Sequence, residues 1–262
     1  MELTGRVIVV TGAARGIGRA LAIRLASERP KAVVVVDLDG EGARAVADEI
    51  NATAMRCDVA NETDVKRLVA RVESEHGRID IFCSNAGIAV GGGPEASNDD
   101  WQRIWEVNLM AHVYVARHVL PAMLARKDGY IVGTVSAAGL LNHFFAAPYG
   151  VTKAAALSFF EWLAIVHGDE GIRVSCLCPQ GVKTDMLEAE RERLRINFLT
   201  AGALEPEVVA DAVVKGIAAE RFLILPHPEV AGYAQRRAAD HDRWLRGMRR
   251  LRDRVAAGGG QG

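Results

Sequence analysis

Thr11-Gly12-Ala13-Ala14-Arg15-Gly16-Ile17-Gly18 follows directly on an apolar, β-rich run at residues 6–11 and opens a helix-length segment near Ile17. Glycines between a strand and a helix leave bare backbone where unpaired N–H groups and the helix dipole favour an anion. That suits a pyrophosphate. Gly12, Arg15, Gly16, Ile17 and Gly18 are the candidate contacts. Asp37 ends the second strand run, 19 residues after Gly18. A carboxylate there can accept hydrogen bonds from both hydroxyls of an adenosine ribose and would repel a 2′-phosphate. The spacing G-x3-G-x-G departs from G-x-G-x-x-G, so the glycines alone are weak evidence. Strand, glycines, helix and strand-terminal acid together point to a dinucleotide. The plain alternative is a helix start that needs small residues for packing.

Outward from this loop, short β-rich runs alternate with helical patterns along nearly the whole chain. Strands are expected at 6–11, 32–37, 54–59, 79–85, 130–136, 172–179 and 222–226, with helices beginning near Ile17, Gly40, Glu62, Asp99, Pro148 and Pro206. The run VVVV at 33–36 lacks polar alternation, as expected of a strand covered on both faces. The pattern predicts an α/β, Rossmann-type, doubly wound sheet of seven parallel strands with helices on both faces. With 262 residues and no internal repeat or linker, residues 1–257 read as a single domain. Residues 258–262 read as a disordered tail.

The composition, 50% hydrophobic and 25% charged, excludes a disordered chain, collagen and a coiled coil. Thirty-two basic against 33 acidic residues leave a net charge of -1, so no electrostatic ground exists for nucleic-acid or anionic-membrane binding. Cys57, Cys83, Cys176 and Cys178 form no C-x-x-C and sit in apolar runs, which predicts reduced, buried thiols and no metal site. No signal segment opens the chain and no apolar run reaches about 18 residues, so a soluble, cytoplasmic protein is expected.

Tyr149 and Lys153 stand at i and i+4, on one helix face with Cβ atoms about 6 Å apart. Ser136 ends a strand run 13 residues earlier, at the carboxyl edge of the sheet where ligands of parallel sheets bind. The chemistry that needs this trio is proton transfer at a carbonyl or alcohol oxygen while hydride moves at carbon. Bringing a phenol from its ordinary pKa of about 10 to 7 takes roughly 4 kcal/mol. An ammonium at about 4 Å supplies up to about 4 kcal/mol at an effective dielectric of about 20. Ser136 would hold the substrate oxygen near the Tyr149 hydroxyl. Alone, Y-x-x-x-K is a common accident, often an exposed helical pair. Asn108 falls on the stripe Ile104, Trp105, Asn108, His112, Val115, so its amide is expected to be buried and hydrogen-bonded.

The chain resembles the short-chain dehydrogenases/reductases, of the compact non-extended branch, across roughly residues 4–226. The motifs are TGAARGIG at 11–18, Asp37, CDV at 57–59, NAG at 85–87, Asn108, Ser136, YGVTK at 149–153 and PQGVKT at 179–184. The resemblance implies Tyr149 as general acid/base and Lys153 as its pKa modifier and a ligand of the nicotinamide ribose, with Tyr149 also among the cofactor contacts. It implies Ser136 as binder of the substrate oxygen, and Asn108 as a residue that positions Lys153 through a water. Asp58 would border the adenine and Asn85 the adenosine ribose, with Val59, Ala86 and Gly87 on the same cofactor wall. Val182 and Thr184 would reach the carboxamide, in the loop that starts at Pro179. Three departures stand out: Gln180 where the family has glycine, Ser84 before the NAG run, and Arg15 in the glycine loop, a residue type that accompanies NADP in relatives. Asp37 argues for NAD against Arg15.

The expected function is an NAD(H)-dependent oxidoreductase interconverting a secondary alcohol and a ketone on a small, hydrophobic substrate. Loops at 88–95, 137–148 and 185–203 would set its specificity, the last as a lid carrying Met186, Leu187, Phe198 and Leu199. The alternative is a non-enzymatic dinucleotide-binding sensor or scaffold on the same fold. The intact set Asn108, Ser136, Tyr149 and Lys153 favours the enzyme. Helices near 99–124 and 148–167, apolar on more than one face, point to a homodimer or homotetramer. Residues 229–255 read as one helix, and eight arginines from Arg236 to Arg254 as a solvated or inter-subunit face.

Overall fold

The computed structural model describes residues 1–194, 200 and 202–257. Strands and helices alternate one for one as far as Ser84: β1 (Val7–Thr11), α1 (Gly16–Ala26), β2 (Ala32–Asp37), α2 (Gly40–Glu49), β3 (Thr53–Arg56), α3 (Glu62–His76) and β4 (Ile81–Ser84). There follow α4 (Asn98–Trp105), a π-helical turn at Glu106–Met110, α5 (Ala111–Ala125), β5 (Gly129–Thr134), α6 (Ala137–Leu141) and α7 (Ala147–His167). The chain ends with β6 (Ile172–Leu177), α8 (Asp185–Leu194), α9 (Pro206–Ala218), β7 (Leu223–Ile224), α10 (Glu229–Ala239) and α11 (His241–Ala256). The strands form one seven-stranded sheet in the order β3-β2-β1-β4-β5-β6-β7, every neighbouring pair parallel.

The valine runs explain the two-faced burial. Val7, Val9, Val34 and Val36 point into a core shared with α3, α5 and α7, whereas Ile8, Val10, Val33 and Val35 point into the core beneath α1, α2 and α9. Side chains alternate with period two, so a continuous apolar run fills both cores at once. Local signals fix the ends. Asn61 caps α3 by accepting from the Thr63 N–H, and Gly77, at φ +87°, stops it. Pro148 stands in the first turn of α7.

The expected strands overrun at their carboxyl ends. The Cys57, Val135 and Cys178 N–H groups still bond the neighbouring strand, and past them residues 58–59, 136 and 179 turn into the wall of a cleft, where the chain faces a ligand instead of another strand. The single helix expected at 229–255 is two. Asp240 is extended, at φ -153° and ψ 94°, and its carboxylate accepts from the Arg243 N–H, so it terminates α10 and caps α11. The tail at 258–262 lies outside the described residues. By length and composition Ala147–Glu170 would suffice to cross a membrane, contrary to the expectation of no such run. One face of α7 nevertheless packs on the sheet through Phe160 and Leu163. All four cysteines are buried free thiols, and burial raises each pKa.

Candidate active site

A cleft of about 1470 Å³ runs along the carboxyl edge of the sheet. Ligand pockets for small molecules occupy about 300–1,000 Å³, so there is room for a dinucleotide and a second molecule. Every residue expected to contact the cofactor lines this cleft, as do Ser136, Tyr149 and Lys153. Asn108 does not.

The glycine loop is held open by what glycine alone permits. Gly12 adopts φ +66°, and a Cβ there would stand 2.8 Å from the Ala86 backbone; a Cβ on Gly18 would stand 2.0 Å from the Gly12 carbonyl. The first turn of α1 carries no acidic residue and Arg15 makes no side-chain cap, so the helix offers its N–H groups and positive dipole end to the cleft. The Asp37 carboxylate accepts from the Ala14 N–H at 2.9 Å and from the Asp39 N–H at 3.0 Å. It therefore ties the phosphate loop to the turn before α2 while keeping lone pairs for a ribose. These features fit a nicotinamide dinucleotide.

The middle wall is cross-braced. The Asn85 amide donates to the Thr11 and Gly12 carbonyls and accepts from the Thr134 hydroxyl, so its side chain stitches β4 to β1 and β5. The Asp58 carboxylate accepts from the Ala60 N–H. Beyond Pro179, the Gln180 N–H donates to His227 Nδ1 at 3.1 Å and its side-chain amide to Glu229 at 2.6 Å. Lys183 N–H and Leu204 N–H pin the other end, donating to the Leu204 and Gly181 carbonyls. Gln180 thus anchors the loop to α10, while Val182 and Thr184 still face the cleft.

Lys153 is 3% exposed, and its ammonium donates to the Thr134 carbonyl at 2.9 Å. Its nitrogen lies 5.7 Å from the centre of the Tyr149 ring, one helical turn away. Burial pushes the Lys153 ammonium down to about 8, against a smaller raising influence from the Cys178 sulfur. The His143 ring meets the Tyr149 ring edge-on at 6.2 Å. Ser136 holds φ +152° and ψ 157°, a conformation ordinarily open only to glycine, which costs on the order of 1–3 kcal/mol. That strain aims a residue in the cleft wall while its hydroxyl accepts from the Ala138 N–H at 3.1 Å and so starts α6.

Asn108 sits inside the π-helical turn, fully buried. Its amide accepts from the Ile88 N–H and donates to the Ile88 carbonyl, both at 2.9 Å, with a longer contact to Thr152. It clamps the 85–88 strand exit beside Lys153: a Cβ on Gly87 would stand 3.3 Å from the Asn108 oxygen and 3.4 Å from the Lys153 nitrogen. Ser84 faces away from the cleft, where its hydroxyl meets His112 Nδ1 at 2.7 Å. Burial, then the charge of Lys153, pushes His112 down to about 3, so its ring stays neutral. Arg15 is exposed and lies 3.6 Å from Asp185, at the start of α8.

At the substrate end, Leu141, Phe144, Met186 and Leu187 line the cleft, whereas Phe198 and Leu199 lie outside the described residues. Sequence reasoning missed the far wall. Tyr233 and Arg236 of α10, and Arg243, Trp244, Met248, Arg250, Leu251 and Arg254 of α11, face the cleft. The spacing of Trp244, Met248, Leu251 and Val255 was the available signal, an apolar stripe on an otherwise charged helix.

The chain matches the short chain dehydrogenase family over residues 6–195. It is 36% identical to the meso-2,3-butanediol dehydrogenase of Serratia marcescens, over 80% of this chain and 86% of that one. It is 35% identical to the cyclohexanol dehydrogenase of Acinetobacter sp. (strain SE19), over 81% and 87%. A crystal structure of a short chain dehydrogenase/reductase from Burkholderia phymatum in complex with NAD superposes with a TM-score of 0.85 at 30% identity, covering 92% of this chain and 96% of that one. A family match spanning most of the sheet and the cleft, with relatives of this identity over four-fifths of the chain, places the protein among the short-chain dehydrogenases/reductases, oxidoreductases of CH–OH groups that bind a nicotinamide dinucleotide.

Proposed function

We propose that the protein is an NAD(H)-dependent dehydrogenase that interconverts a secondary alcohol and a ketone. The observation that carries this is the buried Lys153 ammonium one helical turn from Tyr149, inside the cleft that the glycine loop opens. Tyr149 exchanges the proton at the substrate oxygen, Lys153 lowers the cost of its phenolate, and Ser136 holds the same oxygen. A bound nicotinamide would supply the hydride donor or acceptor for the substrate carbon. Gly12, Arg15, Gly16, Ile17 and Gly18 would hold the pyrophosphate, Asp37 the adenosine ribose, Asp58, Val59, Asn85, Ala86 and Gly87 the adenine side, and Pro179, Val182 and Thr184 the carboxamide. Asn108 acts as a positioning residue. Butanediol and cyclohexanol, in the names of the two relatives, are secondary alcohols, and Leu141, Phe144, Met186 and Leu187 suit an apolar body beside the reacting carbon. We place the enzyme in the cytoplasm as a homodimer or homotetramer, on the exposed Trp162, Ile165 and Val166 of α7; light scattering tests the assembly.

NAD is favoured over NADP because Asp37 is the charge at the ribose end, while Arg15 lies beside Asp185. Asp37→Ala is expected to move the NAD/NADP affinity ratio toward NADP by about tenfold, as loss of one charge-assisted contact does. The substitution also frees the Ala14 and Asp39 N–H groups, which weakens both cofactors alike, so the ratio is the reading. An unchanged ratio removes the ribose contact. The function itself is tested with a panel of secondary alcohols, following the NADH absorbance band with NAD and with NADP. NADH binding without turnover of any alcohol or ketone would favour the sensor reading instead.

A further inference from the structure

The cleft is apolar where it meets Ser136 and Tyr149 and basic where α10 and α11 close it. Trp244, in the first turn of α11, packs with Tyr233 into the cluster built on Leu141 and Val230, close to α6. Beside and beyond it, Arg243, Arg250 and Arg254 recur at spacings of seven and four, so they form one strip along the cleft side of the helix. On a helix, Arg250 and Arg254 lie about 9 and 15 Å further along the axis than Trp244. Arg236 joins the strip from α10, its guanidinium held 4.8 Å above the Tyr233 ring. Among the described residues none of these four arginines makes an ion pair, although Arg6, Arg24, Arg117 and Arg173 elsewhere each reach a carboxylate. The two acids lining the same end are engaged: Glu229 by the Gln180 amide, Asp240 by the Arg243 N–H. A solvated face explains unpaired arginines turned outward, such as Arg246 and Arg249. Arg236, Arg243, Arg250 and Arg254 are exposed too, but what sets them apart is their place: they line the cleft beside Trp244, Met248 and Leu251, four charges of one sign facing whatever enters it.

We infer that this end of the cleft receives an anionic group, a carboxylate or a phosphate, carried on the far end of an apolar substrate. The substrate is thus an amphipathic anion: a hydrophobic body with its secondary alcohol or ketone at Tyr149 and its charge among the α10–α11 arginines. The inference rests on the dehydrogenase reading for the reacting end only. Guanidinium groups suit such oxyanions through paired N–H donors, and a strip rather than a single point admits chains of more than one length.

The test uses medium-chain (ω−1)-hydroxy fatty acids of several lengths, their methyl esters and the matching alkyl phosphates, with NAD. The acids or the phosphates are expected to show a KM about tenfold below that of the esters at similar kcat, the size that a few partly exposed charge contacts supply together. The phosphates against the acids show which oxyanion is preferred. The preference should shrink at about 1 M salt, where the screening length falls to about 3 Å. It should disappear in the double variant Arg243→Gln/Arg250→Gln and persist in Arg246→Gln/Arg249→Gln, which removes the same charge from the outer face. Equal KM for anion and ester, or a preference that survives Arg243→Gln/Arg250→Gln, overturns the inference while leaving the dehydrogenase intact. If no compound is turned over, thermal unfolding with each ligand decides. An Arg243- and Arg250-dependent rise in Tm with the anions alone upholds the basic pocket against a failed dehydrogenase reading; no rise with any ligand overturns it.

Discussion

Tyr149→Phe lowers kcat by about a hundred- to ten-thousand-fold, the usual worth of a positioned acid–base group, and leaves NADH affinity nearly unchanged. The ring itself is kept: Phe preserves the contact with Lys153 at 5.7 Å and the edge-on meeting with His143. What is lost is one hydroxyl, the group proposed to pass a proton to a substrate oxygen beside Ser136. The proposed dinucleotide contacts are spread over other residues that line the cleft, in the glycine loop, at Asp37 and in the loop from Pro179 to Thr184, so loss of the phenol alone should leave most of them in place. Steady-state kinetics paired with a fluorescence titration of NADH separates the two effects. A variant that keeps wild-type turnover removes Tyr149 from the chemistry. One that loses NADH binding in step with turnover would make the hydroxyl a cofactor ligand rather than an acid.

The parts of this molecule readable in advance are those decided by local physics. Four consecutive valines at 33–36 cannot alternate between core and water, so both faces of β2 must be covered. The glycine loop announces itself because Gly12 needs a left-handed φ and Gly18 must sit against backbone, demands that no other residue type meets. The four cysteines read as core because they lie in apolar runs, and all four are buried. The strands β2 and β6 start at Ala32 and Ile172, where their apolar runs start.

What could not be read depends on contacts distant in sequence. Nothing near Asn108 says that its amide will clamp the Ile88 backbone, 20 residues away, across a π-helical turn. Ser84 looks like a lost amide until His112 meets it from α5. Gln180 looks like a damaged nicotinamide loop until His227 and Glu229, 47 and 49 residues on, take its N–H and its side chain. The arginines of α11 carry the same helical pattern whether they face solvent, another subunit or the cleft. The break at Asp240 settles the orientation, and a lone Asp inside a polar stretch is too ordinary to announce a cap. Missed features of this kind gather at the cleft and in the layer of side chains just behind it, where the chain departs from its local preferences to build a wall for a ligand, as the glycine-like backbone of Ser136 shows.

Lys153→Met abolishes turnover, and it changes how stability depends on pH. The wild-type ammonium is 3% exposed, has the Thr134 carbonyl as a hydrogen-bond partner, and is pushed down to about 8 by burial. In the unfolded chain a lysine titrates near 10.4. Between about pH 8 and 10.4 the unfolded state therefore binds more protons than the folded one, and this group's contribution to stability rises with pH through that window. Below about pH 8 both states are charged, and the full cost of burying the cation, about 3 kcal/mol, weighs on the fold. Methionine removes that cost but leaves the Thr134 carbonyl without its donor, a loss of about 1–3 kcal/mol. The two terms oppose each other, so at pH 7 the variant should match or modestly exceed the wild type in Tm. The sharper reading is the difference between the two proteins, which should move in favour of the wild type as pH rises from 8 toward 10, since only the wild type sheds the burden. Urea unfolding at several pH values measures it. A difference that stays flat across that range would mean that Lys153 is solvated or paired in the folded protein, and would take with it the desolvated ammonium on which Tyr149 is argued to depend.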